Sequence, residues 1–174
     1  MNNKENMPGH DAKSLSSRLL RLLAGQLLDA QQLDAASRKQ SDSILSREED
    51  ATNAVLDERA QRIATMHVAA EQISAIAQAL TGKVPPSPAT NAWRAELISN
   101  VVPELRESIA KCITQLDTVL VQIQQRDNAD VRTLAAHRDD IARELAMVST
   151  TNRAAAAYNA PPGICGTVYQ DRQG

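Results

Sequence analysis

Apolar residues in this chain recur every third and fourth position over most of its length, a period that fits helices and little else. Leu15, Leu19, Leu22, Leu23, Leu27, Leu28 and Leu33 make a wide apolar face at helical spacing over about 11–45. Leu56, Ile63, Met66, Ala70, Ile73, Ala77 and Leu80 follow at intervals of seven, three, four, three, four and three, a heptad seam. A second stripe runs through Leu105, Ile109, Cys112, Leu116, Val119 and Ile123, and a last apolar set comprises Val131, Leu134, Ile141, Leu145 and Val148. Aromatics are 2% of the residues and Phe is absent, so any core is built from Leu, Ile, Val, Ala and Met. Such side chains fill helix seams well and a sandwich or α/β sheet poorly. The fold class expected is all-α: an elongated antiparallel bundle of three to four long helices with coiled-coil-like packing.

The breaks in this pattern divide the chain. In SREE, Ser46 and Glu49 have the spacing of a capping box, which predicts a new helix there, although one continuous helix through 46 also fits. Gly82 suits the left-handed residue that closes a helix, and Pro85, Pro86 and Pro88 forbid its continuation. Ser87 and Pro88 read as a cap and a first helical residue. Pro103 makes the Trp93 segment either a short separate helix or the near side of a kink. The apolar stripe loses phase at RDNAD. The expected organisation is therefore a disordered leader over 1–10, helices over about 11–45, 46–81, 88–126 (kinked near 103) and 127–159, a linker over 82–87, and a flexible tail over 160–174.

Several functions lack their residues. A formal net charge of −2 gives no concentrated basic face for a nucleic acid. The polar start, MNNKENMPGHDAK, has no apolar signal core, and Arg18 and Arg21 interrupt the first Leu-rich run well short of a membrane span, so a cytoplasmic protein without membrane insertion is expected. Cys112 and Cys165 stand in unrelated contexts and suggest neither a disulfide framework nor a metal site. His10, His67 and His137 form no HExxH or ExxH pair. A solvent-facing His137 could accept a phosphoryl group on a signalling bundle, but the acids in AAHRDD would repel it. With no phosphate loop, nucleophile elbow or dinucleotide fingerprint in the sequence, neither an enzyme nor a cofactor is expected.

What remains is apolar surface. The Leu face of the first helix is broader than a two-helix seam uses, so surplus surface could take a partner helix in a groove, unless the last helical segment covers it. Tyr158 and Tyr169 are isolated aromatics in weakly structured sequence, where they could anchor a partner.

The stretch SILSREEDATNAVLDERAQRIATM resembles a recurrent segment of the FlgN-type flagellar export chaperones, in which a Leu- and Gln-rich first helix is followed by an acidic step and a further helix. Leu45, Glu48, Glu49, Leu56, Glu58, Arg59 and Ile63 carry the match. LAMVSTTNRAAAAYN is similar to the closing helix of that family, with its Asn at Asn152, and VYQDRQG is similar to its short tails. The resemblance implies a cytoplasmic chaperone that keeps hook-associated subunits unassembled and hands them to the export gate. It also implies client binding on the C-terminal part, at Leu134, Ile141, Leu145, Val148 and Asn152, with Tyr158 or Tyr169 against the export machinery. The Pro-rich linker and the Trp93 segment depart from the family's pattern. The alternative expectation is a structural coiled coil that associates with itself and has no client.

Overall fold

The structure, a computed structural model, describes residues 9–87 and 89–159, with side chains over 11–87 and 89–155. Expectations for the leader and for the tail with Cys165 and Tyr169 lie largely outside those residues. All regular structure among the described residues is helical, an all-α bundle of four helices: α1 Gly9–Ser46, α2 Glu49–Thr81, α3 Asn91–Asn100 and α4 Arg106–Asn159, with a single 3-10 turn, Pro103–Leu105, before α4. None of these helices is long and apolar enough to cross a membrane. The chain divides into two units, Met1–Thr133 and Leu134–Gly174, and α4 contributes to both.

Local chemistry explains the helix ends, not always as the sequence suggested. The capping box at Ser46 does not form. Arg47 takes a left-handed conformation (φ 59°), and the N–H groups of Arg47 and Glu48 donate back to the Ile44 and Ser43 carbonyls at 3.2 and 2.9 Å. That paired closure ends α1 at Ser46, whose hydroxyl donates to the Asp42 carbonyl at 3.0 Å and so is not free to cap α2. Glu48 is the N-cap of α2 without a side-chain bond. α1 and α2 are thus separate helices joined by two residues.

At its far end α2 stops at Gly82 (φ 71°), whose N–H reaches the Gln78 carbonyl at 2.7 Å. The next helix begins at Asn91 rather than near Pro88, because the Thr90 side chain accepts from the Trp93 N–H at 3.2 Å and supplies the cap. Pro103 does not kink a long helix. Val101 and Val102 are extended, as a residue preceding proline prefers, and they separate α3 from α4. Arg106 ties this corner together by donating to the carbonyls of Val101 and Ser99 at 3.0 and 2.9 Å.

Within the first unit, side-chain bonds fix helix direction. Gln26 meets Met66, and Ser43 meets Thr52, so α1 and α2 run antiparallel. Ser16 meets Val102, and Ser37 meets Asp127, so α4 runs parallel to α1. The core lies where α3 closes the end of these three helices: Leu19 and Leu23 of α1, Ile76, Ala77 and Leu80 of α2, Leu97 of α3, Val101, and Ile109 of α4. Cys112, Ile113 and Trp93 pack against it.

The inward face of α2 is not the full seam proposed. Ile63 is 51% exposed and Ala70 is exposed, whereas Arg59, one helical turn before Ile63, is buried. Nor does a helix end near Asp127, since α4 runs unbroken from Arg106 to Asn159. Through RDNAD the interior face of α4 keeps its spacing. Its residues change from apolar to charged, with Ile123 and Asp130 buried and Arg126 and Asp127 partly so.

Candidate functional site

The second unit, by itself, presents an apolar stripe on a single helix. Leu134, Ile141, Leu145 and Val148 are 48%, 51%, 64% and 56% exposed and follow one another at seven, four and three residues, so they lie along one side of α4. Asn152, four residues beyond Val148, is exposed on the same side, and Met147, also exposed, lies toward the other side of the helix. Arg138 stands on the stripe's own side, four residues after Leu134, and reaches out to Asp139 at 2.8 Å, while on the opposite side Arg143 bonds Asp140 at 2.6 Å. His137 is partly exposed at the edge of the stripe, three residues after Leu134 and four before Ile141.

The structure therefore brings Leu134, Ile141, Leu145, Val148 and Asn152 together on one face. Tyr158 belongs to α4, but its side chain lies outside the described ones, and Tyr169 lies outside the described residues altogether. A partner helix on this stripe would complete the removal from water of side chains already half covered, worth roughly 1 kcal/mol each. His137 and Glu144 flank the stripe on one edge, and Ala135, Ala142 and Ser149 on the other.

The sequence reading missed a polar interior in the first unit. Arg59 is 8% exposed and donates to Asp127 at 2.7 Å and to Gln40. Gln40 in turn donates to the buried Asp130 at 3.2 Å, and Ser37 donates to Asp127 at 3.4 Å. One turn of α1 away, Asp34 receives Arg126 and, at 2.8 and 3.0 Å, Arg38. Three guanidinium groups and three carboxylates thus replace the aliphatic seam. The signal was present in the sequence as charged residues recurring at seam spacing, which a count of apolar positions passes over.

Asp34 makes this interior sensitive to acid. Burial pushes its carboxyl up, but hydrogen bonds from Arg126 and Arg38 together with their charges more than offset this and hold it below its ordinary value of 3.8. A carboxyl lowered on folding contributes stability that is present above its unfolded pKa and is lost as pH falls through the folded one. Urea midpoints measured from pH 6 downward should therefore drop below about pH 4, and Asp34→Asn should flatten that part of the slope. An unchanged slope in Asp34→Asn would assign the acid sensitivity elsewhere.

A cavity of about 150 Å³ lies between Leu19, Leu23, Ile73, Trp93, Leu97 and Ile113. The Trp93 Nε1 is buried without a hydrogen-bond partner. Among the described residues no group of three or more His, Cys, Asp or Glu side chains is placed to hold a metal ion. No protein-family model, curated protein or solved structure matches the chain.

Proposed function

We propose that this protein is an export chaperone that lays an amphipathic terminal helix of hook-associated flagellar subunits along the exposed face of α4 and so keeps them from assembling before secretion. The observation that carries this reading is the stripe Leu134, Ile141, Leu145 and Val148, four large apolar side chains at heptad spacing, each about half or more exposed. Subunits of that kind hide amphipathic terminal helices until they assemble, and a helix is the shape a stripe of this period accepts. The flagellar assignment rests on the resemblance of the α1–α2 connection, through Leu45, Glu48, Glu49, Leu56, Glu58, Arg59 and Ile63, and of the closing helix with Asn152. In this reading the chain binds and does not catalyse, acts in the cytoplasm, and offers Tyr158 or Tyr169 to the export gate.

The test is co-purification with the hook-filament junction subunits of its own organism, followed by calorimetry with their C-terminal peptides. Saturable binding in the micromolar range or tighter is expected, weakened at least about tenfold by Ile141→Asp, because a buried charge replaces a buried methylene surface. Full affinity in Ile141→Asp would place the client elsewhere. Absence of binding by every such subunit would end the chaperone reading.

A further inference from the structure

We propose that the cavity beside α3 is a binding site for a compact apolar molecule of about six to eight carbon atoms. This site lies in the first unit and does not depend on the export reading.

The walls decide the chemistry. Leu19 and Leu23 of α1, Ile73 of α2, Leu97 of α3, and Ile113 and Leu116 of α4 border about 150 Å³, with the Trp93 ring beside them. The Trp93 Nε1 is itself covered, so the ring meets this space through its carbon atoms. The polar residues of the lining are already engaged: Gln26 donates to the Met66 carbonyl at 2.7 Å, and Arg94 donates to both carboxylate oxygens of Asp117. A water molecule needs two to four polar partners to stay in such a space, and these walls do not supply them. A polar ligand would leave its hydration behind for the same poor return. A hydrocarbon gains dispersion contacts on every side, and a dry cavity of about 150 Å³ admits a single ring of the size of benzene.

The position of the cavity argues for an occupant. It borders Leu19, Leu23 and Leu97, the centre of the aliphatic core, where a void costs stability in proportion to its volume. With no Phe in the sequence, a ring-sized volume in this core is left for a molecule from outside. Access is from the side of α3. Arg94 and Asp117 have side chains 30% and 40% exposed and so mark the solvent side. α3 is ten residues long and is held by that ion pair and by the one between Lys83 and Glu96. A ligand seated beneath it packs against all four helices at once.

Trp93 lines the site, so its emission reports occupancy. Toluene titrated into the full chain should shift that emission saturably, with a Kd of about 1 mM or tighter. It should also raise the urea midpoint, as binding to the folded state alone requires. Leu116→Phe places a ring in the space from a half-buried position, and Ala89→Leu fills it from the linker before α3. Each should weaken the toluene response at least about tenfold, with the toluene-free midpoint unchanged or higher. The linker variant keeps the test open if the helical one does not fold. An emission change that stays linear in toluene, with no rise in midpoint, would overturn the site. So would parental affinity in a folded Leu116→Phe or Ala89→Leu chain. Client binding is read separately through Ile141→Asp, so failure of either reading leaves the other standing.

Discussion

Replacing Leu19 by Ala should lower the free energy of unfolding by about 3–4 kcal/mol, the range for a fully enclosed leucine whose site cannot collapse. Leu19 is 0% exposed and sits where all four helices converge, among Leu23, Ile76, Leu80, Leu97, Val101 and Ile109. Few neighbours can move to fill the space. The core has no Phe to swing inward, and Ala77, also 0% exposed, has no length to offer. The neighbouring cavity of about 150 Å³ would merge with the new one and enlarge it. Urea titration followed by circular dichroism gives the number, with the midpoint shifting and its slope unchanged. Leu28→Ala is the control, because Leu28 is 56% exposed and its loss should cost well under about 1 kcal/mol. If the two substitutions cost the same, the core lies elsewhere.

Arg59→Ala should cost about 2–3 kcal/mol, for a different reason. The guanidinium gives Asp127 a bond of 2.7 Å and holds Gln40, which holds Asp130, so one truncation strips donors from several groups. Breaking a buried pair costs about 3–5 kcal/mol when the remaining charge is sealed in. Asp127 is 39% exposed at its side chain and can recover water, which places the expected loss at the lower end. Removing both partners is the informative comparison. Arg59→Leu with Asp127→Leu should lie within about 1 kcal/mol of the parent, since an apolar pair of similar volume avoids the desolvation that the ion pair bears. The buried Arg59 Nε, which has no partner, adds to what is relieved. A double mutant as unstable as Arg59→Ala would show that the pair itself, rather than its desolvation balance, holds the helices together.

The two substitutions mark what was and was not legible in the sequence. Leu19, Leu23, Ile76, Leu80 and Ile109 lie in stretches whose apolar period names a helix face directly, and the all-α class follows from them. The polar half of the same bundle was opaque, because Gln40, Arg59, Asp127 and Asp130 read singly as solvated surface. Only when α1, α2 and α4 are set side by side does each acquire its partner. The same blindness produced the false break near Asp127 and the inward assignment of Ile63, since a seam defined by its leucines ends where the leucines end. Helix ends misled for another reason. Ser46 satisfies the spacing of a cap, but the left-handed turn at Arg47 makes it the last residue of α1, and backbone dihedrals of that kind are not written in side-chain patterns. On α4 the positions Leu134, Ile141, Leu145 and Val148 were legible as one apolar set, because a single helix needs no neighbour to define one, whereas Asn152 was singled out only by the family resemblance.

Trp93 is the only indole in the chain, and it packs against the aliphatic end of the bundle. Along α1, Leu19 and Gln40 are separated by about 30 Å of helix rise, so the emission of Trp93 reports on one end and is silent about the other. Ultraviolet dichroism, by contrast, weighs every turn alike. A gap between the two unfolding curves would mean that the salt-bridged end lets go by itself while the aliphatic end stays shut, and superposed curves would mean that one cooperative unit spans both kinds of interior.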